Sequence, residues 1–184
     1  MNKKLLASSA LALFAVLGAS NSQAAVLSGP FLDTHNIGWD NTGIQVTALQ
    51  NTTLQSFDFQ NYGADDTIEL ALTDGTVLYS TSFTGGGIET SSTVTANWAL
   101  TAGITYALIS VNPNNSKYAV ASFPVSNSDI RVDGGYQQGG GLMTGYWFHF
   151  NNLTTGSVPE PSSLTLLGLG CFSLLGIRRR AKRA

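Results

Sequence analysis

Residues 68–83 read IELALTDGTVLYSTSF, and this stretch indicates the fold class of the chain. Its first half places apolar side chains at every second position, which is the period of a β-strand. Asp74-Gly75 then interrupts the pattern before a second run, Val77 to Phe83. Asp-Gly between two such runs favours a hairpin, because both residues tolerate the positive φ of a type I′ turn. The stretch therefore predicts two antiparallel strands.

The same alternation recurs between residues 25 and 157, and helical periodicity is missing there. The other candidate strands contain Ile44, Val46 and Ala48, the pair Phe57 and Phe59, and the runs Ser92 to Leu100, Ile104 to Val111, Tyr118 to Phe123, Ile130 to Val132 and Gly145 to Phe150. Eight or so strands at this spacing predict an all-β domain, an antiparallel two-sheet sandwich that is jelly-roll-like. We expect this ectodomain to cover residues 25–150 and a polar tether to follow at 151–157.

The N-terminus has the three parts of a secretory signal peptide. Lys3 and Lys4 supply a positive region, Leu5 to Leu17 are apolar, and small residues stand at the two positions that a signal peptidase inspects. This pattern predicts a signal helix within residues 1–24 and cleavage between Ala24 and Ala25. An uncleaved anchor is the alternative, but the apolar stretch is short for a span of about 20 residues.

The C-terminus also has three parts, at residues 158–184. A polar motif, Val158-Pro159-Glu160-Pro161, precedes an apolar segment at 162–177 and a basic tail at 178–184. The basic residues of the tail are Arg178, Arg179, Arg180, Lys182 and Arg183. A buried core helix is one interpretation of the apolar segment, whose length is just below the usual spanning range of about 17–25 residues. The tail instead favours a membrane helix with a cytoplasmic stop, since positive charge is retained on that side.

This arrangement resembles the PEP-CTERM sorting signal of Gram-negative bacteria that make extracellular polysaccharide. Pro159, Glu160 and Pro161 match its tripeptide, Leu164 to Ile177 its hydrophobic segment, and Arg178 to Arg183 its basic cluster. The resemblance implies that an exosortase, a membrane transpeptidase-like protease, recognises the motif and cuts near it. It also implies passage through the general secretory machinery, a transient inner-membrane anchor, and a final place at the cell surface or in the medium. The prolines suit this role, because they fix φ and keep the motif extended.

Charge excludes one class of partner. Residues 25–157 contain two basic residues, Lys117 and Arg131, against ten acidic ones, which gives a formal charge of −8. Such a domain cannot neutralise a row of phosphates, so nucleic-acid binding is excluded. The single cysteine, Cys171, lies in the C-terminal apolar segment, so the domain has no disulfide of its own.

Catalytic motifs are missing from the domain. Its two histidines, His35 and His149, are not arranged as a zinc motif, and no Gly-x-Ser-x-Gly elbow occurs. The alternation around His149 predicts a residue on the surface of a strand. Adjacent carboxylates at Asp65 and Asp66 are interpreted as turn formers, because neighbours on an extended chain point opposite ways. We expect no enzymatic activity and no cofactor.

Two further hypotheses concern a metal ion and the tryptophans. A structural calcium ion at Asp65-Asp66, completed by Asp129 or Asp133, is the alternative to a metal-free domain. Trp98 and Trp147 are expected to fill the core.

Trp39 and Tyr136 have polar or glycine neighbours, so we expect them to face solvent and to be candidates for stacking on sugar rings. The favoured function is a non-enzymatic surface or extracellular-matrix protein associated with exopolysaccharide or the cell surface. The alternative is a glycan-active enzyme whose acidic catalytic residues the sequence does not identify.

Overall fold

The computed structural model describes residues 24–32, 34–36, 39, 41–61, 63–85, 90–112 and 116–157. Within these residues the secondary structure consists of strands and turns, without a helix. The strands are β1 (Ala25–Leu27), β2 (Thr34–Asn36), β3 (Thr42–Ala48), β4 (Thr52–Gln60), β5 (Asp66–Leu72), β6 (Val77–Phe83), β7 (Ser91–Leu100), β8 (Thr105–Ser110), β9 (Ser116–Val120), β10 (Val125–Ser126), β11 (Ile130–Gln137), β12 (Gly141–Met143), β13 (Tyr146–Phe148) and β14 (Phe150–Ser157). The all-β prediction is confirmed for this part of the chain.

The strands form two main antiparallel sheets that pack together and a small third sheet. One main sheet has the order β1-β14-β4-β7. The other has the order β10-β11-β3-β8-β5-β6, with β12 added to β11. The third sheet, β13-β9-β2, was not predicted from the alternation.

One hydrophobic core joins the two main sheets. Phe57 and Leu153 lie on the first sheet, Ile44 and Ile68 lie on the second, and all four are fully buried in the same cluster. The prediction for the tryptophans is confirmed, since Trp98 and Trp147 belong to this cluster. Because alternate side chains of a strand point to opposite faces, the other face of β3, β8 and β11 carries a second set of residues. This set combines polar side chains, such as Thr47 and Thr105, with a small apolar cluster of Ala107, Ile109 and Tyr136.

The β5–β6 hairpin forms as the sequence predicts, but its turn differs. Gly75 has a φ of +92°, whereas Asp74 is not among the residues with positive φ, so the type I′ turn was wrong. The Asp74 carboxylate instead accepts a hydrogen bond of 2.9 Å from Thr76 N, and the register shifts between Leu70 and Ala71. A side-chain bond of this kind is a common way for aspartate to fix a turn.

The predicted polar tether at 151–157 was wrong. These residues belong to β14, which lies between β1 and β4 in its sheet. Their polar composition is compatible with burial because the side chains have partners, such as the Thr155 hydroxyl, which donates to Asp129 at 2.7 Å. The folded domain therefore extends to Ser157.

The predicted signal helix and membrane helix fall on residues that the structure does not describe, apart from Ala24. The part of the chain that the structure describes contains no helical segment suited to spanning a bilayer. The predicted membrane segment, residues 162–177, lies outside this part.

Candidate functional site

An open cleft of about 580 Å³ lies over the polar part of the face of β3, β8 and β11 that points away from the main core. Segments 121–124 and 142–145 complete its walls. Small-molecule sites have volumes of about 300–1,000 Å³, so this cleft is large enough for a ligand. Its floor is polar, whereas its walls are partly apolar.

The floor is a row of polar side chains across three neighbouring strands. Arg131 on β11 is opposite Thr47 on β3, and Thr47 is opposite Thr105 on β8. The two threonine hydroxyls lie 2.9 Å apart in a hydrogen bond. Gln45, two residues before Thr47, also lines the cleft. The pleat of the sheet therefore places amide, hydroxyl and guanidinium groups side by side.

A β-bulge adds a carboxylate to this row. The register between β11 and β3 shifts between Val132 and Gly134, which leaves Asp133 as an extra residue without an opposite partner on β3. Both of its oxygens are held: Oδ1 accepts from Arg131 Nε at 2.5 Å and Oδ2 accepts from Thr47 Oγ1 at 2.6 Å. Bulges re-aim side chains and occur often beside functional sites.

The walls of the cleft are partly apolar. Phe123, Pro124 and Leu142 line it, and the Leu142 side chain is exposed. The Phe123 ring stacks on Trp147 with centroids 5.6 Å apart and planes at 13°. Because Trp147 is fully buried in the core, Phe123 rests on a fixed support.

Tyr136 does not face solvent as predicted, and that prediction was wrong. It lies in β11 and is 5% exposed, in a small buried cluster with Ala107 and Ile109. Its opposite residue on β3 is Gly43, which has no side chain to compete for the space. A ring covered in this way is not available for stacking on a sugar.

Trp39 is half-buried in an aromatic cluster. Its ring lies 5.3 Å from that of Tyr118, 5.6 Å from that of Tyr146 and 5.5 Å from that of Phe148. The predicted position is therefore only partly solvent-facing. These contacts hold the ring within the domain, and its role in glycan binding stays a prediction.

His149 is fully buried, so the prediction of a strand-surface position was wrong. The residue lies between β13 and β14 with a φ of +50°, which breaks the alternation and leaves both neighbouring phenylalanines buried with it. Its Nε2 is 2.9 Å from Thr42 Oγ1, and its Nδ1 is 3.2 Å from the carbonyl of Gln60. The carbonyl can only accept, so Nδ1 carries the proton and Nε2 accepts from the threonine.

Burial decides the ionisation of this histidine. It lowers the pKa of His149 to about 4, although the Gln60 carbonyl and the charge of Asp66 act in the opposite direction. The imidazole is thus neutral at physiological pH and serves as a structural hydrogen-bonding group. The alternation of apolar residues could not have revealed the burial of His149, because its positive φ reverses the pattern of faces along the strand.

The four carboxylates of the calcium hypothesis belong to separate hydrogen-bond networks. Asp66 begins β5, where it accepts from Ser110 Oγ at 2.6 Å and Asn112 N at 2.9 Å, so it is not the turn former that was predicted. Asp65 is exposed and accepts from Gly85 N. Asp129 accepts from Gln50, Ser128 and Thr155, whereas Asp133 accepts from Arg131 and Thr47. Within the described residues, no group of three histidine, cysteine or acidic side chains could hold a metal.

Asp129 is a buried carboxylate with several donors. Burial would raise its pKa, but hydrogen bonds from Ser128, Thr155, Gln50 and Thr52 outweigh burial and lower it below the ordinary value. Thr155 lies on β14, so this network ties the loop before β11 to the last strand. The arrangement is structural, because the carboxylate is fully occupied with protein donors.

The two ends of the domain lie next to each other. Ala25, the first residue of β1, is opposite Thr155 on β14. β14 ends at Ser157, and the polar motif that begins with Val158 follows directly. The residues of the motif and of the basic tail themselves lie beyond the described part of the chain.

Comparison with known proteins identifies this C-terminal end. No curated protein and no solved structure matches the chain. Residues 157–183 match the family model of the PEP-CTERM protein-sorting motif. The chain therefore carries a PEP-CTERM sorting signal of the kind that exosortases act on.

Proposed function

We propose that this protein is a non-enzymatic surface or extracellular-matrix module that an exosortase processes after export and that associates with exopolysaccharide or the cell surface. The single observation that carries the proposal is the sorting motif at residues 157–183, which begins where the last strand ends. Export and a transient membrane anchor follow from the motif itself.

The position of β14 suits processing of a folded substrate. β14 pairs with β1 and β4, so the backbone up to Ser157 is held in the sheet. A protease needs an accessible segment, and the sequence after Ser157 contains Pro159 and Pro161, which disfavour a helix. Cleavage near the motif would therefore release the sandwich with all its described strands.

The cleft supports a binding module over an enzyme. Glycoside hydrolysis uses two carboxyl groups about 5–10 Å apart. Asp133 is the one carboxylate among the residues that line the cleft, and both of its oxygens already accept hydrogen bonds. The alternative, a glycan-active enzyme, would need a second acid at this place.

We also infer a jelly-roll-like path for the chain. The successive strands β3, β4 and β5 alternate between the two main sheets, as do β7 and β8. Crossings of this kind are typical of jelly rolls and Greek-key sandwiches.

Intact mass spectrometry of the protein from a host with an exosortase tests this function. The expected product begins at Ala25 and ends between Pro159 and Ser162. A matched variant with alanine at Pro159, Glu160 and Pro161 should keep the full C-terminus and stay in the membrane fraction. Recovery of a mature wild-type protein that still ends at Ala184 would refute exosortase processing.

A further inference from the structure

We propose that the cleft over β3, β8 and β11 is a binding site for a neutral saccharide, recognised by Arg131, Asp133, Gln45 and Thr105. The proposal deepens the proposed function, since it gives the ectodomain a ligand class and a site. It depends on the proposed function only for the biological source of the saccharide.

The hydrogen-bonding groups of the floor match sugar hydroxyls, which both donate and accept. Arg131 uses Nε for Asp133, and no other hydrogen bond of its guanidinium occurs within the described residues. Its two NH₂ groups therefore remain as donors, and the side chain is 42% exposed. The Gln45 amide supplies a donor and an acceptor. Thr47 donates its proton to Asp133, so Thr105 donates to Thr47 and its oxygen remains as an acceptor for a ligand.

The floor is also preorganised. Asp133 is fixed by two hydrogen bonds, and it in turn fixes the plane of the Arg131 guanidinium. A planar guanidinium loses little entropy for each further bond it makes. The groups are thus in position before a ligand arrives, which lowers the cost of binding.

Charge selects a neutral ligand. Arg131 is the one cation that lines the cleft, and the ion pair with Asp133 neutralises it. The surrounding domain, residues 25–157, has a formal charge of −8. An acidic sugar polymer would therefore meet repulsion without a compensating free cation.

The apolar wall fits the C–H face of a sugar ring. The part of Phe123 that Trp147 does not cover lines the cleft beside Pro124, with the exposed Leu142 on another wall. Sugar rings present apolar C–H faces and polar edges, so a polar floor next to such a wall satisfies both.

The position of the cleft argues against a peptide that adds a strand. Peptides of that kind pair with an exposed sheet edge. β3 and β8 are interior strands whose backbones are paired on both sides. Recognition over these two strands therefore rests on side chains, such as those of Gln45 and Thr105, rather than on backbone pairing.

The test is calorimetric titration of the full-length chain in a detergent that contains no sugar. The probes are neutral gluco-, galacto- and manno-oligosaccharides and a uronic-acid oligosaccharide of equal length. We expect at least one neutral probe to bind and the uronic-acid probe to bind at least about tenfold more weakly. Arg131→Met and Gln45→Ala should each lower the affinity for the neutral probe by about tenfold, because each variant loses hydrogen bonds from a charged or amide group.

Thr105→Val and Thr95→Val form a matched pair, because Thr95 is exposed on β7 outside the cleft. Only Thr105→Val should weaken binding, and circular dichroism should show that both variants are folded. If Arg131→Met does not fold, Gln45→Ala and Thr105→Val decide the question.

Three results would overturn the proposal: no binding of any neutral probe to the folded protein, equal binding of the uronic-acid probe, or unchanged affinity in the folded cleft variants. Failure of the proposed function would appear elsewhere, as a mature protein that retains Ala184, and would leave these titrations unaffected.

Discussion

Nε2 of His149 lies 2.9 Å from the hydroxyl of Thr42, although 107 positions separate the two residues in the chain. The backbone of His149 also accepts from Gln60 N at 2.9 Å and donates to Lys117 O at 2.9 Å. Thr42, Gln60 and Lys117 belong to the three different sheets. One buried histidine thus joins all the sheets, and its protonation state bears on their stability.

The stability of the domain should depend on pH through His149. Its pKa is about 4 in the folded protein and about 6.5 when unfolded, so the unfolded state binds a proton that the folded state does not. The free energy of unfolding should be highest above about pH 6.5 and should fall by about 3 kcal/mol towards pH 4. Urea unfolding at intervals of pH measures this slope.

His149→Asn is the control for this titration, because asparagine tolerates the positive φ and does not ionise in this range. The variant will be less stable, but its slope between pH 4.5 and 6.5 should be much smaller. Equal slopes in wild type and variant would show that another group causes the dependence. Asp129, whose pKa is lowered, loses its stabilising charge only at pH values below this window.

Tyr136→Ala should destabilise the domain as a core truncation does, by about 2–4 kcal/mol. Trp98→Ala should cost about 3–5 kcal/mol, since its ring contacts Phe57 in the main core. Leu142→Ala, at an exposed position, should change the midpoint of urea unfolding little. A Tyr136→Ala variant as stable as wild type would contradict the burial of this ring.

Gly75→Ala should destabilise the β5–β6 hairpin by about 1 kcal/mol, because the glycine has a φ of +92° that an alanine adopts with strain. Gly140→Ala is the matched control. That glycine has no positive φ, and an added Cβ would meet its nearest atom, Gln137 Oε1, at 3.5 Å. Thermal unfolding should separate the two variants, and equal melting temperatures would argue against the left-handed turn.

Deletion of residues 178–183 should change the retention of the chain in the membrane rather than the recognition of the sorting motif by an exosortase. We expect the basic tail to act as a cytoplasmic stop, so its loss should let the apolar segment slip outward. Unprocessed chain should then leave the membrane fraction, whereas the variant with alanine at Pro159, Glu160 and Pro161 should remain there. Fractionation and immunoblotting distinguish these outcomes. Identical fractionation of the two variants would contradict separate roles for the motif and the tail.

The amino-acid sequence determined the features that are local in the chain. β6 and the core positions Ile44, Val46 and Ala48 of β3 and Ile68 and Leu70 of β5 follow from alternation, because the strand places every second side chain on the same face. The sorting signal is also linear, so its order of motif, apolar segment and basic tail could be recognised without a structure.

Only the tertiary structure decided where the alternation fails. The bulge at Asp133 and the positive φ of His149 and Asn152 each change which face a side chain occupies, and they leave no periodic signal. β14 looked like a tether because it is polar, but its polar residues find partners far away in the chain, such as Asp129 in the loop before β11 for Thr155. The cleft depends on the register of β11, β3 and β8, which the hydrophobic pattern of each strand alone does not specify.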